Sequence, residues 1–254
     1  MQRQPLVIAN WKMNGDRNLV TNMAKALRES AAEFAAVQVV VCPPAVLLGH
    51  WQEAAFYDQI YLGAQDVNEH SSGAHTGELS CTLLAEAGAN FVLLGHSERR
   101  QFYGDSEARI SAKVRQVVAQ EGMTAVLCVG ESAAQRQQQE TFAVVSAQLA
   151  AALSELTECE QLVVAYEPIW AIGTGETASP EQAQEVHAFI RQWLTEKFGP
   201  AGSLVRILYG GSVKAENAEA LFAQADIDGG LIGGASLEAE QFVSICIAAQ
   251  ARSN

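Results

Sequence analysis

The stretch Leu162–Tyr209, LVVAYEPIWAIGTGETASPEQAQEVHAFIRQWLTEKFGPAGSLVRILY, decides the fold. It opens on a short apolar run, Leu162–Tyr166, rich in β-branched residues and without polar alternation, as expected of a strand buried on both faces. Ser179-Pro180-Glu181-Gln182 then reads as a capping box with proline in the first helical position. Val186, Phe189, Ile190, Trp193 and Leu194 follow at helical spacing until Gly199-Pro200 stops the helix. A second apolar run, Leu204–Tyr209, completes a strand–helix–strand unit, whose two strands are expected to lie parallel.

The same unit recurs in both directions. Further runs are Leu6–Ala9, Val37–Cys42, Ile60–Ala64, Phe91–Leu94, Ala125–Val129 and a weaker one at Leu231–Ile232, enclosed by Gly229, Gly230, Gly233 and Gly234. Helical patterns fall between them. Ile110, Val114, Val117 and Val118 share one face before Gly122, and Ala134–Leu153 and Leu237–Ala249 read as amphipathic helices. About eight strand–helix units, each about thirty residues long, predict a closed parallel (β/α)8 barrel, with an open doubly wound sheet as the alternative. No Pro-, Ser- or charge-rich linker interrupts the chain, which predicts one barrel domain over residues 1–254.

Composition narrows the partners. With 16 Lys and Arg against 29 Asp and Glu, the net charge is −13. Nucleic acid and anionic membranes are therefore poor partners. No apolar stretch approaches the roughly 18 residues that span a bilayer, and the first residues do not read as a signal peptide. The five cysteines, Cys42, Cys81, Cys128, Cys159 and Cys246, are odd in number and show no C-x-x-C spacing. That argues against a disulfide framework or zinc site and for a reducing, cytoplasmic setting.

Polar, reactive residues cluster just after the strands: Asn10 and Lys12, His96, Glu167, and the glycine-rich segments after the last two runs. The C-terminal ends of parallel strands share one face, so these groups should converge there. Segments Asn10–Asn14 (NWKMN), Gly95–Arg100 (GHSERR), Ala165–Gly175 (AYEPIWAIGTG), Tyr209–Val213 (YGGSV) and Gly233–Leu237 (GGASL) resemble those of the triosephosphate isomerases, in the same order and spacing. The resemblance covers essentially the whole chain.

It implies a metal-free and cofactor-free isomerase of glycolysis and gluconeogenesis, interconverting dihydroxyacetone phosphate and D-glyceraldehyde 3-phosphate through an enediolate. Glu167 would be the general base, its pKa raised once a closing loop shields it from water. His96 would be the electrophile, kept neutral by a helix whose N-cap is Ser97. Lys12 would neutralise the phosphate and the developing enediolate, with Asn10 in support. Glu98 reads equally well as a structural ion-pair partner. Backbone at Ser212, Gly233 and Gly234 would hold phosphate, with Gly173 adding an N–H from a lid, Pro168–Gly175, that excludes water. Cys128 reads as packing, and His50, His70, His75 and His187 show no metal-ligand spacing. The resemblance also makes Ser71–Glu78 an intersubunit loop carrying Thr76, and so implies a homodimer. Asp105 stands where the family often carries Glu, which predicts a rearranged polar network nearby. A different phosphosugar enzyme, or a barrel that only binds, are the competing readings.

Overall fold

The structure, a computed structural model, describes residues 3–55, 60–172 and 177–251. Eight parallel strands close on themselves: β1 (Leu6–Asn10), β2 (Gln38–Cys42), β3 (Ile60–Ala64), β4 (Ala89–Leu94), β5 (Thr124–Val129), β6 (Leu162–Tyr166), β7 (Arg206–Tyr209) and β8 (Gly229–Ile232). β8 returns to β1 in the register Leu6↔Gly229 to Ala9↔Ile232. The open doubly wound alternative is thereby excluded.

Each strand buries both faces, which explains its unbroken apolar sequence. Alternate residues such as Leu6 and Ile8, Val40 and Cys42, Val126 and Cys128, and Val163 and Ala165 fill the barrel interior. Their neighbours, such as Val7, Val39, Leu127 and Val164, pack against the outer helices. Cys128 has no exposed surface, and burial pushes its thiol well above the ordinary range, as for an inert packing residue.

Helix Pro180–Phe198 carries the expected capping box, with Ser179 and Gln182 exchanging hydrogen bonds. Two elements differ from the sequence reading. β7 begins at Arg206 because Gly199–Leu204 is a 3-10 turn folded back onto the preceding helix; a Cβ on Gly202 would collide with the Leu194 carbonyl. The single helix expected over Ala134–Leu153 is two, Ala133–Gln137 and Thr141–Ala152. They are separated at Gln139, whose φ of 60° lies in the left-handed region. The polar run Gln137–Glu140 has no apolar side chain to hold it against the barrel.

Among the described residues no helix is long and apolar enough to cross a membrane. Every residue from Ser71 to Glu78 is exposed.

Candidate active site

The carboxyl ends of the strands surround a cleft of about 360 Å³ lined by Asn10, Lys12, His96, Glu167, Ile172, Ser212, Gly233 and Gly234, among others. The residues expected from sequence meet there because each follows a strand directly. Asn10 ends β1, His96 lies two residues past β4, Glu167 one past β6, Ser212 three past β7 and Gly233 one past β8. Gly173 falls outside the described residues.

Lys12 is held in an unusual backbone conformation, with φ 52° in the left-handed region. Two side chains stabilise it. Asn10 Oδ1 accepts the Lys12 N–H at 3.0 Å, and Gln65 Nε2 donates to the Lys12 carbonyl at 2.8 Å and to that of Cys42 at 2.9 Å. The ammonium pairs with Glu98 Oε1 at 2.5 Å. Lys12 is partly exposed, and Met13 beside it is 94% exposed.

His96 reaches the cleft through a tight turn. Gly95 has φ 66°, and a Cβ there would press on Arg100 and Ile110 at 2.9 Å, so only glycine suits this position. Helix Ser97–Phe102 follows, and its N-cap is His96 rather than the expected Ser97. The imidazole Nδ1 accepts the Glu98 N–H at 3.3 Å. The Ser97 N–H is left to donate to Glu167 Oε2 at 3.0 Å. A ring whose Nδ1 accepts from backbone carries its proton on Nε2, and Nε2 lies 2.9 Å from Glu167 Oε1.

Both partners are shifted from their ordinary values. Burial works against the charged form of His96, but the Glu167 carboxylate outweighs it, and the net direction is upward from the ordinary value. Burial pushes Glu167 up, yet His96, the Ser97 N–H and Lys12 together outweigh it and hold the carboxyl below its ordinary value. The sequence expectation of a raised carboxylate concerns the site once a closing loop shields it from water. The structure adds three compensating groups that sequence spacing does not reveal.

The far wall is main chain. Among the described residues the backbone N–H groups of Ser212, Gly233 and Gly234 make no hydrogen bond to protein. A Cβ on Gly234 would meet no protein atom and one on Gly233 only Lys12 Cε at 3.6 Å, so protein packing does not require glycine at either. Lys214, missed in the sequence, adds a second cation at this wall.

The start of the expected lid is packed rather than free. Pro168 is buried, and Ile169–Ala171 form a 3-10 turn. Trp170 Nε1 donates to Glu131 Oε1 at 3.0 Å, the Arg136 guanidinium lies over the Trp170 ring at 4.6 Å, and Ser212 Oγ donates to the Ala171 carbonyl at 2.8 Å. Glu131, also missed from sequence, is fully buried and accepts the Tyr166 hydroxyl at 3.1 and 3.0 Å. Nothing local in the sequence marks it; only its place just past β5, one of the polar residues at a strand end, could have. Among the described residues no group of three or more His, Cys, Asp or Glu is placed to hold a metal ion.

Comparison with known proteins agrees with this geometry. The model of the triosephosphate isomerase family matches residues 5–249. The triosephosphate isomerase of Idiomarina loihiensis is 54% identical over 98% of this chain and its own full length. That of Alcanivorax borkumensis is 49% identical over 98% of this chain and 100% of its own. That of Psychromonas ingrahamii is 48% identical over 96% and 98%.

Proposed function

The chain belongs to the triosephosphate isomerase family, and from that premise we propose how its cleft carries out the family's reaction. The enzyme is an isomerase of glycolysis that interconverts dihydroxyacetone phosphate and D-glyceraldehyde 3-phosphate. Glu167 takes a proton from the carbon beside the carbonyl and returns it to the neighbouring carbon. His96 donates its Nε2–H to the carbonyl oxygen as negative charge builds there, and shuttles a proton between the two oxygens of the enediolate. Lys12 neutralises the phosphate and the enediolate, with Asn10 fixing its backbone.

The observation that carries this reading is the convergence of Lys12, His96 and Glu167 on one cleft whose opposite wall offers backbone N–H groups without a hydrogen-bond partner among the described residues. Ser212, Gly233 and Gly234 hold the phosphate on that wall, as oriented amides hold anions elsewhere; the resemblance adds Gly173. To act, Glu167 must leave the Ser97 N–H and turn toward substrate. Gly210 supports this movement, since a Cβ there would lie 2.9 Å from Glu167 Cγ. Closure of the lid over Ile172 excludes water and protects the enediolate from losing its phosphate.

We extend the proposal to a homodimer in the cytoplasm. Support comes from the exposed Ser71–Glu78 loop with Thr76, from the exposed apolar residues Met13, Val46, Leu83 and Phe102, and from five cysteines that are all unpaired.

Glu167→Asp tests the base assignment. It keeps the charge but withdraws the carboxylate by about one methylene, and a displacement of that order costs about 100-fold in rate. A coupled assay with triose phosphate should show that loss in kcat; full activity would refute the role of Glu167.

A further inference from the structure

The ladder between β5 and β6 ends at Val129↔Tyr166. One step further the two chains press together. The Glu167 N–H donates to the Val129 carbonyl at 2.8 Å, and a Cβ on Gly130 would collide with the carbonyl of Glu167. Two residues on, the Ile169 N–H donates to the Glu131 carbonyl at 3.1 Å. The main chain of Glu167 and the root of the lid therefore rest on Val129–Glu131.

Gly130 has left the ladder, and one side chain takes up both of its polar groups. Its N–H donates to Gln148 Oε1 at 2.8 Å, and Gln148 Nε2 donates to its carbonyl at 3.1 Å. A primary amide offers a neutral donor and acceptor in such a fork without needing to take up a proton. Gln148 projects from helix Thr141–Ala152, which is anchored to the barrel by the buried Val145 and Leu149. The other side of Glu167 is equally confined. The Gly210 N–H holds the Tyr166 carbonyl at 2.7 Å, and Gly210 itself stands against the Glu167 side chain. A shift of Gly130 has no slack to enter and must pass to Glu167.

We propose that Gln148 is a positioning residue for the isomerase reaction: its amide clamps Gly130, and Gly130 sets the placement of the Glu167 carboxylate in the cleft. The proposal rests on Glu167 being the base. The phosphate wall lies after β7 and β8, away from the clamp, so substrate binding should not feel it.

The test is steady-state kinetics per folded active centre, with thermal melts alongside. Gln148→Leu removes both hydrogen bonds, and kcat should fall by about 10- to 100-fold at unchanged KM. Gln148→Glu, when ionised, keeps the acceptor for the Gly130 N–H but sets a second oxygen against the Gly130 carbonyl, so at alkaline pH its kcat should fall at least as far as that of Gln148→Leu. In the Glu167→Asp background, Gln148→Leu should cost much less than it does alone, because the carboxylate is already displaced.

A merely structural glutamine would lower the melting temperature and leave kcat per folded centre, and the ordering of the variants, unmoved. That result overturns the proposal, as does a change confined to KM or a full multiplicative loss in the double variant. If Gln148→Leu does not fold, Gln148→Glu assayed at alkaline pH, where its carboxyl is ionised, decides on the same terms, wild-type kcat overturning the proposal. Failure of the underlying reading looks different: Glu167→Asp would itself be fully active, and both ideas would fall together.

Discussion

Replacing Lys113 by Met would open a buried charge cluster. The Lys113 side chain is 1% exposed, with Nζ 2.8 and 3.1 Å from the Asp66 carboxylate and 2.9 and 3.1 Å from that of Asp105. Arg99 bonds the same two groups at 2.8 and 3.0 Å. Without Lys113, the two carboxylates share Arg99, with Arg109 at 3.8 Å from Asp105 as the remaining cation. Breaking a buried pair costs about 3–5 kcal/mol. Because Arg99 stays and Asp66 is 19% exposed, we place Lys113→Met near about 3 kcal/mol, against a total stability of about 5–15 kcal/mol.

The pH dependence fixes the sign. Burial pushes the Asp105 carboxyl up, but Lys113 and Arg99 outweigh it and hold it below its ordinary 3.8. Its contribution is therefore present above 3.8 and lost as pH falls through the lower folded value. Asp66 is shifted upward, burial there outweighing the cations. Protonated carboxyls neither repel each other nor need the ammonium. The deficit of the variant, read from urea unfolding, should be largest at neutral pH and narrow as pH drops through the carboxylate range. A deficit below about 1 kcal/mol at pH 7, within the reach of an ordinary surface change, would refute the reasoning, and so would one that widens in acid.

Gln65→Leu removes the donor that holds the Lys12 carbonyl, and relaxation of its left-handed backbone, worth about 1–2 kcal/mol, should displace the ammonium and raise KM about tenfold; an unchanged KM would count against Lys12 as a phosphate contact. His187 is fully buried, and burial lowers its pKa to about 4, so the stability of the neutral ring is present above the ordinary 6.5 and lost as pH falls toward 4. His187→Gln should flatten the acid loss of unfolding free energy between those values by about 3 kcal/mol, and an equal slope in both proteins would show that the histidine does not titrate this way. Binding of an unreactive triose phosphate analogue at mildly acid pH should draw a proton onto Glu167, visible by calorimetry in two buffers of different ionisation heat; the proposed activation of the base fails if no uptake is seen, or if Glu167→Gln shows the same uptake.

The barrel was legible because it is written locally. Unbroken runs such as Leu162–Tyr166 say that both faces are buried, and Ser179–Gln182 marks a helix start within four residues. The cleft was legible for a related reason: Lys12, His96 and Glu167 each follow a strand end, and parallel strands deliver their ends to one side. What was not legible depends on partners remote in sequence. Gln65 holds Lys12 across 53 residues and Ser97 holds Glu167 across 70, with no periodicity to announce either. The N-cap was misplaced for a similar reason. Serine is the commoner cap, but here its N–H is directed at Glu167, and the imidazole of the preceding residue does the capping. The break at Gln139 was hidden because Gln135–Glu140 are good helix formers with no proline or glycine among them, although that polar run offers no apolar side chain to the barrel wall.

These remote contacts also reconcile a lowered Glu167 with a proposed base. Before substrate arrives, Lys12 and Glu167 have partners within the protein: Lys12 pairs with Glu98, and Glu167 lies within hydrogen-bond distance of His96 Nε2 and accepts the Ser97 N–H. A buried carboxylate without such partners would be protonated or would destabilise the fold. On the proposed mechanism, binding exchanges partners. Lys12 trades Glu98 for the phosphate, His96 trades Glu167 for the carbonyl oxygen, and Glu167 gives up two donors to face a C–H bond that offers it no comparable hydrogen bond. Burial, which raises its pKa, remains, while the groups that lowered it withdraw. On that mechanism the basicity needed for carbon acid chemistry arises only when substrate is present, and in a protein with a net charge of −13 the proposed anion site keeps Lys12 in place by pairing it with Glu98 in the meantime.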